Sequence, residues 1–238
     1  MTQIDIETVR SRVQGHWSSV EYVDSIGSTN TELLSRGTPG AVLIAGEQTA
    51  GKGRLGRPWQ SPRGTQFAFS MLIDAPSVQD IGLIPLTAGL AVTDVITQAR
   101  LKWPNDVQID GKKLAGILAE ADFSGDKPHV VVGIGLNVAL EKKDLPVENA
   151  TSLLLEGIEY DWTALATDLL NALGRRLSEP LDLDAYRAVC STIGQNVRLI
   201  APGGDVYGVA EDVSPTGEII VDGTPYSAGD VTHLRPQV

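Results

Sequence analysis

The chain has 238 residues, of which 42% are hydrophobic and 21% charged, and its formal net charge is −11. This composition is typical of a globular protein with one large domain, or a large and a small one, and the acidic total argues against a broad nucleic-acid-binding surface. The single cysteine excludes an intramolecular disulfide, and without a membrane-spanning apolar run or a signal segment we expect a cytoplasmic protein without membrane contact.

The first half of the chain alternates between helical and strand patterns. A short helical spacing covers residues 6–13. Strand patterns cover residues 19–24, 41–45 and 67–73. A second helix opens at Thr29-Asn30-Thr31-Glu32, a capping-box pattern with Thr29 as the cap, and we expect Gly37 to end it.

The next part of the chain continues this mixture. Helical spacing covers residues 81–99 and 161–177, and Asp161 caps the second of these helices. Asp110-Gly111 separates two strand patterns and predicts a hairpin. The apolar run 129–138 is typical of a central strand buried on both faces. We therefore predict an α+β domain built around a mixed sheet.

Past Cys190 the pattern changes to short strands separated by turn residues. The strand patterns cover residues 197–200, 206–210, 218–221 and 231–234. Their spacing predicts a small β-barrel of about fifty residues. We place the boundary near residues 187–191, which gives domains at 1–188 and 189–238.

Residues 46–62 form the most positive segment of this acidic chain. Cations and glycines alternate there, in the order Gly51, Lys52, Gly53, Arg54, Gly56 and Arg57. Glycines let backbone N–H groups approach an anion closely, and the neighbouring cations neutralise its charge. The segment predicts a site for an anionic small molecule such as a nucleotide phosphate, with a solvated surface loop as the alternative.

The same segment departs from a P-loop at one position. Residues 46–52 fit the first seven positions after an apolar strand, but the next residue should be Ser or Thr, which binds Mg²⁺ and opens a helix. Gly53 stands there, and the Gly and Pro that follow would not begin a stable helix. A P-loop NTPase is therefore disfavoured.

Two polar segments lie where predicted strands end. Ser28, Thr29 and Asn30 follow the first strand, and they either cap the next helix or bind a ligand. The segment K-W-P-N-D at 102–106 combines a cation, an aromatic ring and a carboxylate. This segment could bind a ligand, or it could simply be the end of a strand followed by a turn.

Two further features belong to the predicted sheet. Lys113 lies at the start of an apolar strand, just after the hairpin turn. Its ammonium group either acts on a ligand or extends to solvent while its aliphatic part stays buried. Gly133 and Gly135 lie two residues apart in the buried strand, so they leave the same face of that strand without side chains. Glycines in a strand often mark a close approach of a ligand to the backbone. No third glycine follows, so the pair is not a dinucleotide fingerprint.

Five segments, in this order and spacing, resemble the biotin protein ligases: G-S-T-N, E-Q-T-A-G-K-G-R-L-G-R-P-W, K-W-P-N-D, K-L-A-G-I-L-A-E and G-I-G-L-N-V. The resemblance covers nearly the whole chain, and residues 194–235 look like the small C-terminal domain of that family. It implies a class II synthetase-like catalytic domain, with a mixed sheet flanked by helices, followed by a small SH3-like β-barrel.

The resemblance implies a reaction in two steps. The carboxylate of biotin attacks the α-phosphate of MgATP to give biotinyl-5′-AMP and pyrophosphate. A lysine of the biotin carboxyl carrier domain of a biotin-dependent carboxylase then attacks the mixed anhydride. Because the first step brings anions together, fixed cations and Mg²⁺ must offset their repulsion.

The resemblance also implies a role for each matching residue. The ureido and thiophene rings of biotin would form hydrogen bonds with Ser28, Thr29, Asn30 and Gln48, and would lie against Gly116, Gly133 and Gly135. The loop that folds over the biotin carboxylate and the phosphate contains Gly51, Lys52, Gly53 and Arg54, with Arg57 and Trp59 on the nucleotide side.

The implied catalytic residues are Lys113, Arg54 and Asp106. Lys113 stabilises charge at the carboxylate and the α-phosphate. Asp106 and Asn137 position Mg²⁺ or the ATP phosphates. Tyr226 in the tail is a candidate for stacking on adenine.

Two departures from the family pattern modify these expectations. Lys52 stands where many relatives have Arg, which keeps the charge but loses the bidentate fork. Only 27 residues precede Ser28, too few for the helix-turn-helix domain of regulatory members. We therefore expect a monofunctional ligase that binds no operator DNA, as a monomer or a homodimer.

Two other functions stay open on the sequence. A lipoate or octanoyl ligase or transferase shares the fold and the acyl-adenylate chemistry, but its R-R-x-S-G-G-G loop is absent here. A non-catalytic nucleic-acid-binding protein could use the basic loop and the β tail, although the net acidity argues against it.

Overall fold

The computed structural model describes residues 4–13, 15–36, 38–60, 62–74, 77–124 and 128–234. The helix end expected at Gly37 and the end of the tail expected at Arg235 lie outside these residues. None of the helices in these ranges has the length and apolar character needed to cross a membrane.

A seven-stranded mixed sheet forms the centre of the large domain, in the order β1-β2-β3-β7-β6-β5-β4. Its strands are β1 Ser19–Val23, β2 Ala41–Ala45, β3 Gln66–Asp74, β4 Arg100–Lys102, β5 Asp106–Ile109, β6 Lys112–Asp122 and β7 His129–Asn137. Strands β1 and β2 are parallel, and the other neighbours are antiparallel. The predicted mixed sheet is confirmed, with β7 buried between β3 and β6 as its apolar run predicts.

The helices are α1 Ile6–Arg12, α2 Thr29–Arg36, α3 Ile84–Val95, α4 Trp162–Leu177 and α5 Leu183–Val189. Helix α4 begins as predicted, because the Asp161 carboxylate accepts a hydrogen bond from the Ala164 N–H. Helix α3 is shorter than predicted. It starts with Pro85 in its first turn, and Ile96 leaves helical geometry after it. Helix α5 was not predicted, since seven residues give little periodicity.

The start of α2 differs from the capping-box prediction. The helix begins at Thr29, and the Thr31 N–H lies 3.5 Å from Ser28 Oγ, so Ser28 takes the capping position. Glu32 pairs with Arg36 at 3.0 Å instead of reaching back to the cap. The predicted cap at Thr29 is therefore wrong by one residue, and the Thr29 hydroxyl is left for other contacts.

The tail is a five-stranded antiparallel sheet in the order β11-β10-β9-β8-β12. Its strands are β8 Asn196–Ala201, β9 Gly204–Val213, β10 Ile219–Val221, β11 Thr224–Tyr226 and β12 Asp230–His233. Strand β11 was not predicted, because a three-residue strand containing proline gives no alternating pattern. Strands β11 and β12 stay at opposite edges, so the described residues form a β domain without the closure of a barrel.

The K-W-P-N-D segment connects the tail to the large domain. Trp103 is 2% exposed, and its indole N–H donates a hydrogen bond of 2.9 Å to the Gly217 carbonyl. The Trp103 backbone N–H donates to Thr192 Oγ1, and the Ser191 N–H donates to the Leu101 carbonyl. These contacts hold the turn between β9 and β10, and the segment before β8, against the end of β4. The division at 188/189 stays a prediction.

Candidate functional site

One cavity of about 790 Å³ gathers nearly all the predicted site residues. Its described lining includes Ser28, Thr29, Asn30, Gln48, Lys52, Gly53, Arg54, Arg57, Trp59, Asp106, Lys113, Gly116, Gly133, Gly135 and Asn137. Strand β12 closes one side through Asp230, Val231 and Thr232. Gly51 and Tyr226 are not among the described lining residues, and Tyr226 lies on β11 at the far edge of the small sheet.

The charge of the cavity is opposite to that of the chain. Five described lining residues are cationic, Lys52, Arg54, Arg57, Lys102 and Lys113, against two carboxylates, Asp106 and Asp230. The chain as a whole carries −11. A concave site lined by one sign of charge attracts ligands of the other sign. The arrangement therefore suits an anionic ligand, as the loop pattern predicted.

Residues 51–59, here called the flap, fold back on themselves as a narrow hairpin. The Trp59 N–H donates to the Gly51 carbonyl at 2.8 Å, and the Gly53 N–H donates to the Arg57 carbonyl at 2.7 Å. A Cβ on Gly51 would lie 2.5 Å from the Trp59 carbonyl oxygen. The hairpin itself therefore requires glycine at position 51, which makes Gly51 a structural residue of the flap in this conformation.

The flap lies against the C-terminal sheet through its two arginines. Arg54 Nη1 is 3.2 Å from both the Asp230 carboxylate and the Gly229 carbonyl, and 3.3 Å from Asn105 Oδ1. Arg57 also pairs with Asp230. Burial lowers the pKa of Arg54, while the charge of Asp106 opposes that shift. An anionic ligand in the cavity would compete with Asp230 for these guanidinium groups.

Two of the predicted catalytic residues meet as an ion pair. Lys113 Nζ on β6 lies 2.5 Å from Asp106 Oδ1 on the neighbouring β5. The ammonium group also lies 5.4 Å from the centre of the Trp59 ring, within the range of a cation–π contact. The Lys113 side chain is 28% exposed, so it points into the cavity instead of extending into bulk solvent.

Lys102 is a cavity cation to which the sequence analysis assigned no role. Burial lowers the pKa of Lys102, and the charges of Lys113 and Arg57 add to this effect while Asp106 opposes it. A cation in such surroundings gains by pairing with an anionic ligand. The sequence signal that could have identified Lys102 as a site residue is its position at the start of the K-W-P-N-D motif.

Three predicted glycines make room for side chains of the protein itself. A Cβ on Gly133 would lie 2.2 Å from Asn30 Oδ1, and one on Gly135 would lie 2.3 Å from Trp59 Nε1. A Cβ on Gly116 would also meet the Trp59 ring, at 3.0 Å. Trp59 thus covers Gly116 and Gly135, two of the three glycines expected beneath the biotin rings. A ligand could lie against Gly116 and Gly135 only if the indole moved away.

Of the two predicted metal residues, Asp106 fits Mg²⁺ better than Asn137. Asn137 is 1% exposed, its Oδ1 accepts a hydrogen bond of 2.8 Å from Gln66 Nε2, and its Nδ2 donates to the Thr151 carbonyl. This geometry argues against Asn137 as a metal ligand, because its oxygen is already paired. Mg²⁺ typically needs one or two carboxylates in addition to substrate phosphates, and Asp106 supplies one. No group of three or more potential metal-binding side chains occurs in the described ranges.

Gly133→Ala should destabilise the fold, because the new methyl group would overlap the buried Asn30 amide. We expect the free energy of unfolding to fall by about 1–3 kcal/mol, the usual cost of overpacking a buried site. Urea unfolding measures this value. Gly27→Ala is the matched control, since a Cβ on Gly27 meets no atom within 4 Å. Equal stability of the two variants would contradict the close approach seen here.

Comparisons with known proteins identify the family of this chain. The model of the Biotin/lipoate A/B protein ligase family matches residues 22–137, and that of the Biotin protein ligase C terminal domain matches residues 192–234. The chain is 40% identical to the biotin--[acetyl-CoA-carboxylase] ligase of Mycobacterium tuberculosis, over 98% of this chain and 96% of that protein. It is 32% identical to the bifunctional ligase/repressor BirA of Escherichia coli, over 90% of this chain and 74% of that protein.

A solved structure shares the same architecture. The biotin protein ligase from Aquifex aeolicus, in complex with biotin and ATP, gives a TM-score of 0.76 at 26% identity, over 92% of this chain and 100% of that one. The predicted α+β fold class, with a C-terminal β domain, is thereby confirmed. With 40% identity over almost its whole length to a curated ligase, and both of its parts matched by models of the family, this chain belongs to the biotin protein ligase family.

Proposed function

We propose that this chain is an enzyme that attaches biotin to a lysine of a biotin carboxyl carrier domain, with ATP as the second substrate and biotinyl-5′-AMP as the intermediate. The observation that carries the proposal is the cavity, which combines a polar cluster at Ser28, Thr29 and Gln48 with a cationic wall. Membership of the biotin protein ligase family supports the same reaction.

The cationic wall serves the first step. The biotin carboxylate and the ATP phosphates repel each other as they approach, and fixed positive charges lower the energy of the transition state most when they are already in place. Lys113 is held by Asp106 of the neighbouring strand, so its ammonium group is already in place when an anion arrives. Lys102 and the two flap arginines add further positive charge to the same cavity.

Mg²⁺ is implied by the family, and Asp106 would hold it through its carboxylate together with phosphate oxygens of the substrate. When bound, the ion supplies Lewis-acid stabilisation of negative charge on the phosphates. Asp106 is already paired with Lys113, so this carboxylate orients the lysine as well. Asn137 would not contact the ion, because its amide oxygen accepts a hydrogen bond from Gln66.

The flap serves the second step. A mixed anhydride reacts readily with water and with any amine, so the enzyme must cover it until the acceptor lysine arrives. Arg54 and Arg57 of the flap pair with Asp230 of β12, and these contacts support a flap that covers the cavity. We propose the biotin carrier domain of a carboxylase as acceptor, and the cytoplasm as the location of the reaction.

The two alternatives fit the site less well. A lipoate ligase or transferase shares the catalytic fold, but the flap sequence K-G-R-L-G-R and the matched C-terminal domain are those of biotin ligases. A nucleic-acid-binding protein requires cations on an open surface, whereas the cations here line a cavity.

A biotin-dependent ATP–pyrophosphate exchange assay tests the proposed function. We expect exchange of labelled pyrophosphate into ATP when Mg²⁺ and biotin are both present, and none when biotin is left out. Exchange that depends on lipoate or octanoate instead would establish the related acyl ligase. No exchange with any of these acids, together with DNA binding that weakens steeply with salt, would establish the nucleic-acid-binding alternative.

A further inference from the structure

We infer that Glu120 is a positioning residue for the biotin pocket. It acts through Asn30 and Ser70 and sets the direction in which the Thr29 hydroxyl points its hydrogen. The inference rests on the proposed function, because it concerns how that pocket recognises the ureido group of its substrate. Glu120 is half-buried and is not among the described lining residues of the cavity, so its effect must pass through other side chains.

Asn30 is the first link, and its amide can adopt only one orientation. The side chain is 4% exposed, and Nδ2 lies 2.7 Å from Glu120 Oε2 and 3.3 Å from the Leu118 carbonyl oxygen. A carboxylate and a carbonyl only accept hydrogen bonds, so the amide nitrogen must be the atom between them. The amide oxygen therefore faces the other way, toward Ser70.

Ser70 is the second link, and it carries this orientation toward the cavity. The residue is fully buried, and its Oγ lies 2.6 Å from Asn30 Oδ1. An amide oxygen cannot donate, so Ser70 uses its single hydroxyl hydrogen for this bond. Ser70 must then accept from Thr29 Oγ1, which lies 2.6 Å away on the other side.

Thr29 is the last link, and it lines the cavity. Its hydrogen goes to Ser70, because the alternative acceptor, Gln48 Oε1, is 3.1 Å away and already accepts the Thr29 N–H at 2.9 Å. The remaining lone pair of the Thr29 hydroxyl can then accept a hydrogen bond. A cyclic urea carries N–H donors, so this polarity suits the ureido ring of biotin.

Removing Glu120 would release the chain of hydrogen bonds. Without Glu120, only the longer contact of 3.3 Å to the Leu118 carbonyl favours the present orientation of the Asn30 amide. The rotated amide, which presents Nδ2 to Ser70, then becomes populated and makes Ser70 an acceptor there and a donor to Thr29. The Thr29 hydrogen would then turn away from Ser70, toward the cavity or Gln48. The pocket would lose its acceptor for a ligand N–H, while its shape would stay nearly the same.

Glu120→Ala tests this proposal in the intact enzyme by calorimetric binding of biotin and of ATP. We expect the Kd for biotin to rise about tenfold or more, the usual effect of losing a hydrogen bond in a buried site, while the Kd for ATP stays unchanged. Glu120→Gln should restore most of the affinity, because its amide oxygen still accepts from Asn30. Glu32→Ala, on the outer side of the same helix as Asn30, should leave both affinities unchanged.

The relative affinities for biotin and its analogues show whether Glu120 positions the pocket or only stabilises the fold. In the two cyclic-carbamate analogues of biotin, an oxygen replaces one ureido N–H or the other. Wild type should bind at least one of them far more weakly than biotin, and Glu120→Ala should reduce that difference. A general loosening of the fold would weaken all the ligands together and leave their ratios unchanged. If Glu120→Ala does not fold, Ser70→Ala breaks the same chain of hydrogen bonds and should give the same change in ratios.

The outcomes distinguish this inference from the proposed function. Wild-type enzyme that neither binds biotin nor exchanges pyrophosphate would overturn the proposed function. Active wild type, with unchanged biotin affinity or unchanged ligand ratios in the Glu120 and Ser70 variants, would overturn the positioning role alone.

Discussion

Lys113→Ala should lower the rate of biotinyl-AMP formation by roughly a hundredfold or more, the scale of removing one preorganised electrostatic group. The reason is the position of its ammonium group, held 2.5 Å from Asp106 and within a cation–π distance of Trp59, on the wall that the reacting anions must approach. Single-turnover release of pyrophosphate measures the effect directly, because it excludes the later transfer to the carrier domain.

Lys112→Ala provides the matched control for this variant. Lys112 is the neighbouring residue on the same strand, and its Nζ pairs at 3.1 Å with Glu156 instead of entering the cavity. It carries the same charge, so its replacement changes the net charge of the protein equally. A wild-type single-turnover rate in Lys113→Ala, or an equal loss in both variants, would remove Lys113 from its assigned role.

Arg54→Ala should convert a selective ligase into one that labels unrelated proteins. Its guanidinium group lies at the point where the flap meets Gly229, Asp230 and Asn105. Without it we expect the flap to open, so that biotinyl-AMP escapes and labels exposed lysines of a bystander protein about tenfold or more above wild type. Mass spectrometry of the carrier domain and an added bystander protein measures where the biotin is attached.

Arg63→Ala is the control for the loss of an arginine near the flap. Arg63 follows the same basic segment, but it is 55% exposed and pairs weakly with Glu47 at 3.5 Å. It should therefore leave labelling confined to the carrier domain. Labelling confined in the same way in Arg54→Ala would show that the flap does not retain the intermediate.

Most elements of the fold could be predicted from local patterns, and the errors have identifiable physical causes. Helix α3 is shorter than its apolar spacing suggests, because Pro85 favours a helix start and Ile96 leaves helical geometry. Ser28 caps α2 in place of Thr29, since both residue types can serve as caps and only the packing decides between them. Strand β11 has three residues, which is too short for any periodicity.

The candidate site could be predicted residue by residue where it consists of contiguous motifs. The flap, K-W-P-N-D and the strand glycines all come together at one cavity. The roles of individual residues within the cavity were less predictable. Trp59 lies over Gly116 and Gly135, and Asn137 uses its oxygen for Gln66, because neighbouring side chains fill space and satisfy polar atoms when the cavity forms.

The sequence by itself determined the family, the mixed sheet and the positive charge of the cavity, because each of these is written in short runs of neighbouring residues. Only the tertiary structure decided which distant residues complete the site. Asp230 lies 176 positions from Arg54, and Glu120 lies 90 positions from Asn30. Hydrogen bonds between such remote segments leave no local pattern in a chain, since they depend on how helix α2 and the small sheet pack against the large domain and not on the spacing of residues.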